Sequence, residues 1–517
     1  MENKPIDKAY DLVVVGGGIT GAGVLREAVR MGLKTLLVEK NDFAYGTSSR
    51  SSKLVHGGLR YLKQGKLLLT YESVRQRQRL LDEAPGLVDE IDFLMPVYRE
   101  RGPGRLPLTA GLVLYDLMAG KLYHSHMDSE AFAEMVPGID TTGLSGGFRF
   151  MDAQTDDARL VLRLISESAE DGGQALNYTS ATGIVRNEDG AVTGIDITDV
   201  ETGESHTVST PAVINATGAW AETLHPVHES DMHLRPLRGS HLVIPADRLP
   251  LTRAVTLIHP DDGRPLFIIP WEGALMLGTT DIDHGNDLNT EVTATAEEAA
   301  YMMECLNTYF PEANLTLGDC SASFAGIRPV LTRKENVDPS KESREHVIWA
   351  DKGLVTVTGG KLTTFRILAA DALKATKPWL PADARVDLKS PAFAKVPLPE
   401  DNPKGLPAPN LRNLYGRYGK HAASIIARAE ARNLECIPGT HTLWAEIPFA
   451  AESENVRHLT DLLLRRVRMG MLLKDGGREH LPRIRKLCET VLPWDGDRWE
   501  TELQMYNDYV NTALRVP

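Results

Sequence analysis

Residues 10–39 carry the pattern of a complete dinucleotide-binding unit, which restricts the fold more than any other part of the chain. The apolar run 11–15 is typical of a buried parallel strand, and it leads directly into the sequence GGGITG at 16–21, which has the G-x-G-x-x-G spacing. A helical stretch follows as far as Gly32, and a second apolar run, 35–38, ends at Glu39.

Each part of this unit has a physical reason to contact a dinucleotide. The glycines let the backbone turn tightly and lie against a pyrophosphate, and the helix N-terminus behind them offers free N–H groups. Glu39, 18 residues after Gly21, is placed to accept hydrogen bonds from a ribose 2′-hydroxyl. We therefore expect Gly16, Gly18, Gly21 and Glu39 to bind a dinucleotide; the alternative is a glycine turn with no ligand.

The composition is that of a large folded enzyme, and it argues against some partners. A chain of 517 residues is long enough for two or three domains, and its net charge of −13 argues against broad nucleic-acid binding. The four cysteines are scattered without a C-x-x-C pair, which indicates a reducing compartment and gives no reason to expect a metal site. With no apolar leader and no apolar run of 18 residues, we expect a cytoplasmic protein that does not cross a membrane.

Local patterns divide the chain into an α/β part and a helical part. Six prolines between 390 and 411 predict a linker or a wrapped segment, and helices are predicted beyond it at 414–431 and 455–473. The second of these helices carries Arg465, Arg466 and Arg468, for which a solvated or salt-bridged face is favoured over a ligand-binding one. Before the linker, strand-like and helix-like segments alternate, with a hairpin expected within 192–208. Strands ending at Gly218 and Gly359 repeat the junction at Gly16, which indicates pieces of one nucleotide-binding domain.

A second motif, TSSRSSKLVHGGLRY at residues 47–61, follows soon after the ribose-binding acid. It is rich in hydroxyl groups and glycines and ends on a cation beside an aromatic ring. The segment could be a surface turn, but its position near a bound nucleotide favours contact with the pyrophosphate or a flavin ring.

With these two motifs the chain resembles the FAD-dependent glycerol-3-phosphate dehydrogenases. Further matching strings follow in order: RGSH at 238–241, LGTTD at 277–281, GIRP at 326–329 and GGKLTT at 359–364. The resemblance implies a Rossmann-like FAD-binding domain of the glutathione-reductase or D-amino-acid-oxidase type, an inserted α+β substrate domain and a C-terminal all-α domain. We predict that segments 1–85, 150–235 and 330–390 form the FAD-binding domain, and segments 86–150 and 236–330 the substrate domain. Residues 391–410 would be the linker and 411–517 the helical domain.

The resemblance also implies a substrate, glycerol 3-phosphate, and a set of contacts to it. Its dianionic phosphate calls for several cations, preferably arginines, whose planar fork matches phosphate oxygens. Arg60, Arg328 and Lys361 lie in matching strings, whereas Arg344 is a weaker candidate because its flanking residues match poorly. A surface ion pair is the alternative for each arginine. Tyr61 is expected to hydrogen-bond the substrate or to pack on the flavin ring.

Oxidation of the alcohol requires a base for the O2 proton while hydride leaves C2 for flavin N5. His241 is the matching side chain with a suitable pKa, and cations beside it would keep it neutral; the alternative is a structural histidine. Arg328 is assigned to catalysis with it. The donors around 359–361 would stabilise reduced flavin. The complete set of predicted FAD contacts is Gly16, Gly18, Gly21, Glu39, Thr47, Ser48, Ser52, Lys53, His56, Gly57, Gly218, Thr280, Asp281, Gly359, Gly360, Lys361, Leu362 and Thr363.

The electron acceptor implied by the resemblance is quinone, reached at the inner face of the cell membrane. Residues 105–121 are apolar with cationic ends, so they predict either shallow membrane contact or an ordinary core helix. A dioxygen-using glycerol-3-phosphate oxidase and a non-catalytic flavin-binding protein are the alternative functions. We expect a homodimer.

Overall fold

The computed structural model describes residues 5–63, 65–225, 233–332, 346–402 and 404–517, with the side chains of Arg60, Lys63 and His233 outside that description. The strands are β1 Leu12–Val15, β2 Thr35–Val38, β3 Val88–Tyr98, β4 Ser125–Met127, β5 Leu144–Thr155, β6 Gln174–Leu176, β7 Thr179–Arg186, β8 Val192–Asp199, β9 Ser205–Ser209, β10 Val213–Asn215, β11 His233–Pro245, β12 Ala254–Ile258, β13 Pro265–Trp271, β14 Ala274–Gly278, β15 Ile282–Asp283, β16 Ala322–Thr332, β17 His346–Asp351 and β18 Leu354–Gly359.

The helices follow the same order along the chain. They are α1 Ile19–Arg30, α2 Leu59–Lys63, α3 Leu67–Glu83, α4 Arg105–Ala119, α5 Ser129–Met135, α6 Asp157–Glu170, α7 Ala221–Leu224, α8 Ala296–Tyr309, α9 Phe365–Thr376, α10 Ala408–Tyr418, α11 Ala422–Arg428, α12 Glu446–Ser453, α13 Leu459–Asp461, α14 Met469–Leu472, α15 Leu481–Cys488 and α16 Gly496–Ala513.

The first sheet of the described chain has six strands in the order β17-β18-β10-β1-β2-β6. All neighbours in it are parallel except β17, which runs antiparallel to β18. Helices α1, α6 and α9 pack against it around a core that includes Leu12, Val14 and Ile214. Because β1, β10 and β18 are adjacent and parallel, Gly16, Gly218 and Gly359 lie at one edge of the sheet, as the repeated junctions predicted.

The second sheet contains nine strands within the described residues. Its order is β15-β11-β14-β13-β12-β3-β5-β4, with β16 paired to β11. One face packs on α8 and the other on the C-terminal helices, where Trp271 and Phe324 join the helical core. A small antiparallel sheet, β7-β8-β9, contains the predicted hairpin. The α/β class with added α+β and helical parts is thus confirmed.

The helical part differs from the prediction in how its helices are interrupted. The single helix predicted at 455–473 is instead α13, a π-helical turn from Leu462 to Arg466, and α14. Arg468, at φ 59°, is in the left-handed region and breaks the helix before α14. Likewise, the stretch predicted as one helix at 414–431 contains the end of α10 and a separate helix, α11.

The arginines of this region form ion pairs, but they are buried rather than solvated. Arg465 and Arg466 both bind the carboxylate of Asp42, which follows β2, and Arg466 does so with N···O distances of 2.6 and 2.8 Å. These two cations hold the pKa of Asp42 down, at about 2. The proline-rich segment wraps against α1, where Arg26 donates a hydrogen bond to the carbonyl of Ala392.

Candidate active site

One large cavity begins at the glycine edge of the six-stranded sheet and extends between the two sheets. Its volume is about 1780 Å³, above the ~300–1000 Å³ usual for sites of drug-sized ligands. The predicted residues that line it are Gly16, Gly18, Glu39, Thr47, Ser48, Ser52, His56, Tyr61, Gly218, Asp281, Arg328, Gly359, Gly360, Lys361, Leu362 and Thr363. The cavity therefore brings together most of the side chains that the motifs singled out.

The glycines of the first motif have two different roles. A Cβ on Gly18 would lie in the cavity wall, 3.1 Å from Ser48 Oγ, so this glycine keeps side-chain atoms out of the space where a pyrophosphate would lie. A Cβ on Gly21 would lie 1.8 Å from the carbonyl oxygen of Gly16, so this glycine lets α1 approach β1. Ser48 Oγ also accepts a hydrogen bond from Ile19 N–H, at 2.9 Å, and joins the second motif to the start of α1. This cradle fits a dinucleotide.

Glu39 closes the other end of the cradle. Its carboxylate accepts hydrogen bonds from Gly17 N–H, at 2.6 Å, and from Asn41 N–H, at 2.8 Å. Burial raises the pKa of Glu39, and the two backbone donors act in the opposite direction. The carboxylate is thus fixed where a ribose hydroxyl would meet it.

Arg328 is held in a fixed orientation at the cavity wall. Its guanidinium donates to the carbonyl of Thr280 at 2.9 Å, to Asp281 at 3.0 Å and to the hydroxyl of Thr279 at 2.9 Å. A Cβ on Gly239 would lie within 2.5 Å of the guanidinium carbon, so only glycine at that position lets Arg328 lie across the neighbouring strand. This explains the glycine of the RGSH string.

Lys361 and Tyr61 form a second cationic corner of the cavity. The Lys361 ammonium lies 3.7 Å from the centre of the Tyr61 ring and donates to Ser73 Oγ at 3.0 Å. Gly58, at φ +81°, makes room for that ring, because a Cβ there would lie 2.2 Å from Tyr61. Thr363 ties the loop after β18 to the second motif by donating to the carbonyl of His56.

His241 lies behind the cavity wall rather than in it. The residue is 2 % exposed, its ring stacks on Phe324 with the ring centres 4.7 Å apart, and a hydrogen bond of 2.9 Å joins Nε2 and Ser52 Oγ. Burial, together with the charges of Arg328 and Lys53, lowers the pKa of His241 well below its usual 6.5. The ring is therefore neutral at physiological pH.

Four other predicted FAD contacts are described but do not line the cavity. Gly21 packs α1 on β1, and Gly57 leaves space for the hydroxyl of Tyr115. Thr280 donates to Glu298 and accepts from Ser240 N–H, so it acts on the cavity only through its carbonyl, which holds Arg328. Lys53 is fully buried and paired with Asp157 at 2.8 Å; burial and the charge of Arg468 lower its pKa to about 7.

Two predicted substrate contacts cannot be placed. Arg344 falls outside the described residues, and so does the side chain of Arg60, although its backbone belongs to α2. The predictions also missed Arg50, which lines the cavity and pairs with Glu291 at 2.5 Å. Its position within the second motif was the available signal.

The cavity has an apolar arm that ends at α4. Phe93, Met95, Phe267, Pro107, Leu108 and Leu114 contribute to its wall. On its outer side α4 exposes Leu106 (83 %) and Leu117 (67 %), while only Leu112, Tyr115 and Asp116 are buried. One face of α4 thus packs in a hydrophobic cluster through Leu112 and Leu108, and the opposite face is exposed. Among the described helices, none is long and apolar enough to span a bilayer.

One group of residues in the described chain has the ligand spacing of a metal site, but its histidine is already engaged. His259, Asp261 and Glu304 place ligand atoms within 4.8 Å of one another. His259 Nδ1 accepts from Asp261 N–H, Nε2 contacts the carbonyl of Tyr301, and the ring stacks on Tyr301. The trio gives no reason to assign a metal.

Comparison with known proteins agrees with this geometry. The family described as FAD dependent oxidoreductase matches residues 11–366, and the C-terminal domain of alpha-glycerophosphate oxidase matches residues 359–499. The aerobic glycerol-3-phosphate dehydrogenase of Staphylococcus haemolyticus is 33 % identical over 89 % of this chain and 87 % of its own length. That of Staphylococcus aureus is 33 % identical over 88 % of this chain and 86 % of its own.

Solved structures extend the similarity to the whole fold. The glycerol-3-phosphate dehydrogenase of Bacillus halodurans, solved with FAD, has a TM-score of 0.75 and 26 % identity over 99 % of this chain and 95 % of that one. The L-alpha-glycerophosphate oxidase of Mycoplasma pneumoniae shares the fold, with a TM-score of 0.57, 18 % identity and coverage of 76 % and 100 %. Fold and cavity thus define an FAD-dependent oxidoreductase. Within that class, the chain belongs to the aerobic glycerol-3-phosphate dehydrogenase family.

Proposed function

We propose that the protein oxidises sn-glycerol 3-phosphate to dihydroxyacetone phosphate and passes the electrons from FAD to quinone. The observation that carries the proposal is the single cavity that joins a dinucleotide cradle to the cations Arg328 and Lys361. The aerobic glycerol-3-phosphate dehydrogenase names of the relatives support the same substrate.

In this proposal Arg328 and Lys361 bind the phosphate. Arg328 is already oriented by Thr279, Thr280 and Asp281, so little side-chain entropy is lost when it binds an anion. Lys361 adds a compact charge from the opposite loop, and Tyr61 limits the directions in which that charge can move. Arg60 and Arg344 remain predicted contacts.

The chain must also remove the hydroxyl proton of the substrate. Bound FAD supplies the acceptor for the hydride from C2. His241 is the proposed proton acceptor, because its lowered pKa keeps the imidazole unprotonated and its Nε2 points toward the cavity side of the wall, at Ser52.

The apolar arm supports quinone as the acceptor. A quinone ring and its isoprenoid tail are apolar, and the arm leads from the FAD cradle to the exposed leucines of α4. We propose that this face of α4 rests on the membrane surface. The C-terminal match to alpha-glycerophosphate oxidase favours dioxygen as the second candidate.

Rapid mixing separates these possibilities. Glycerol 3-phosphate should bleach the flavin absorbance of the purified protein, whereas glycerol, which lacks the phosphate, should bleach it very slowly. Reoxidation by a short-chain quinone under anaerobic conditions should then be much faster than reoxidation by air. Faster reoxidation by air would favour the oxidase, and failure of glycerol 3-phosphate to bleach the flavin would favour the non-catalytic alternative.

A further inference from the structure

We propose that Ser52 transfers the substrate proton to His241, so that the two side chains act as a relay in which only the serine touches the substrate. This inference rests on the proposed function and assigns a further catalytic residue to it. The inference depends on the order in which these parts lie: first the cavity, then the Ser52 hydroxyl, and behind it the His241 ring.

That order follows from exposure and hydrogen bonding. Ser52 lines the cavity, whereas His241 is 2 % exposed and is not among the described residues of the cavity wall. The hydrogen bond between Ser52 Oγ and His241 Nε2, at 2.9 Å, is the contact through which the imidazole reaches the cavity. A substrate hydroxyl in the cavity would therefore meet the serine oxygen first.

The imidazole cannot easily turn to meet the substrate directly. In the sheet, His241 lies between Gly278 of β14 and Phe324 of β16. Its ring stacks on Phe324 with 9° between the planes, and a Cβ on Gly278 would lie 2.4 Å from the imidazole Cδ2. Rotation would push the ring into one of these neighbours, so the ring is held with Nε2 on Ser52.

The surroundings keep the ring unprotonated and its tautomer unrestricted. Burial disfavours the imidazolium form most, and the positive charges of Arg328 and Lys53 add to that effect before substrate arrives. His241 Nδ1 is buried and has no hydrogen-bond partner among the described residues, so no neighbour fixes which nitrogen carries the proton. Nε2 is thus able to accept from Ser52, and a dianionic substrate would offset the two cations.

The step balances within the proposed reaction. The C2–H bond breaks and its hydrogen leaves as hydride, with both electrons, to FAD. The O2–H bond breaks as its proton passes to Ser52 Oγ, while the original Ser52 proton passes to His241 Nε2. The carbonyl of the product forms, Ser52 is unchanged, and His241 carries one additional proton.

Flavin reduction by glycerol 3-phosphate in rapid-mixing experiments tests the relay. Ser52→Ala and His241→Ala should each slow reduction by about 10²–10⁴-fold, the usual contribution of a general base. The double variant should be no slower than either single variant, because both remove the same path. Ser52→Thr keeps the hydroxyl and should recover most of the rate. Ser52→Val, which has the shape of threonine but no hydroxyl, should not.

A matched control and the opposing results complete the kinetic test. Thr256 also lines the cavity, and its hydroxyl has no hydrogen-bond partner among the described residues. Thr256→Val removes this hydroxyl and should leave the rate unchanged. A wild-type rate in Ser52→Ala, or additive losses in the double variant, would overturn the relay. If wild-type protein is not bleached at all, the proposed function fails instead, and the two failures are distinct.

A second measurement does not depend on turnover. Diethyl pyrocarbonate labels accessible imidazole nitrogens, and peptide mapping can compare His241 with the exposed His206 (side chain 42 % exposed) in the FAD-bound protein without substrate. We expect His241 to react much more slowly than His206 in wild type and to react faster in Ser52→Ala. Equal labelling of the two histidines in wild type, or no increase in Ser52→Ala, would contradict the shielding of His241 by Ser52.

Discussion

The different roles of Gly18 and Gly21 can be separated by adding one methyl group to each. The Cβ of Gly21→Ala would start 1.8 Å from the Gly16 carbonyl oxygen, and Cβ atoms essentially never come within 3.0 Å of another heavy atom, so α1 must move by at least 1.2 Å. That contact is with backbone, and α1 is buried against β1 and α9, so the strain cannot be relieved by a flexible side chain. We expect a cost at or above ~3 kcal/mol, the upper end of overpacking penalties.

Gly18→Ala should behave differently. Its Cβ would lie 3.1 Å from Ser48 Oγ, which requires a shift of only a few tenths of an ångström. We expect the fold to lose no more than ~1 kcal/mol, as in tolerated core substitutions. The new methyl group would nevertheless occupy the space of the pyrophosphate, so FAD binding should be lost.

Thermal denaturation of the FAD-free proteins and FAD titration distinguish the two effects. Gly18→Ala should melt close to wild type but fail to retain FAD, whereas Gly21→Ala should melt lower and also lose FAD. Gly496→Ala, where a Cβ meets nothing within 4 Å, serves as the control and should change neither property. The assignment of the glycines would be refuted if Gly21→Ala kept both the melting temperature and the cofactor.

Four further results are expected. Arg328→Ala should weaken transition-state binding of glycerol 3-phosphate by about 2–5 kcal/mol in kcat/KM, with Arg328→Lys intermediate; equal turnover of glycerol by the wild type would contradict a phosphate pocket. Because the pKa of His241 is lowered, the wild-type rate of flavin reduction should be flat above pH 6.5 and fall only in more acidic solution as the ring is protonated; a fall centred at 6.5 or higher would contradict this. Leu106→Asp with Leu117→Asp should reduce sedimentation with lipid vesicles, while Met505→Asp, an exposed residue on α16, should not. Asp42→Asn should destabilise the protein by ~3–5 kcal/mol at pH 7, because two buried arginines lose their carboxylate. Since the folded pKa of Asp42 is lowered, that difference in denaturation should shrink only as pH falls from 3.8 toward 2.

Local sequence was sufficient to predict the dinucleotide-binding edge. The strand, glycine turn and helix at 11–30 depend on neighbouring residues, and the glycines that follow β1 and β10 or end β18 indicated that these strands belong to one sheet. The structure places β1, β10 and β18 side by side and parallel, so that Gly16, Gly218 and Gly359 lie at the same edge. The string RGSH likewise contains a residue of the cavity wall, Gly239. The structural role of that glycine, which is to leave space for Arg328, could not be predicted from the string alone.

Whether a motif residue lines the cavity or lies behind its wall was not predictable in the same way. Ser52 and Lys53 are neighbours in the second motif, yet the serine lines the cavity and the lysine points away from it. Lys53 has φ 58°, in the left-handed region, and this local change of direction sends its side chain toward Asp157. Spacing alone gives no sign of such a turn at a lysine. The sequence around His241 likewise predicts a direct role. Its position behind Ser52 depends on packing against the distant strand β16, which the local sequence does not reveal.

The break in the predicted helix at 455–473 also occurs at a residue in the left-handed region, Arg468. This break determines what the helical region from α10 onward contacts. None of the described residues after Thr363 lines the cavity, so the helical region from α10 onward contributes no direct contact there. Arg465 and Arg466 nevertheless hold Asp42, three residues after Glu39. Arg468, turned by the break, donates to the carbonyl of Ser49 at 2.8 Å and to Asp157 at 3.1 Å, beside Lys53.

These three arginines therefore support, from behind, the two loops that form the cradle. The loop after β2 carries Glu39, the predicted ribose contact, and the loop at 47–53 carries Ser48 and Ser52. A straight helix would keep Arg468 on the same side as its neighbours, whereas the left-handed turn at Arg468 directs it to the second loop. Buried ion pairs are costly to desolvate and contribute geometry more than stability, which suits a structure that must hold two loops at fixed positions around FAD. The helical region from α10 onward thus supports the loops at the cavity without lining the cavity itself.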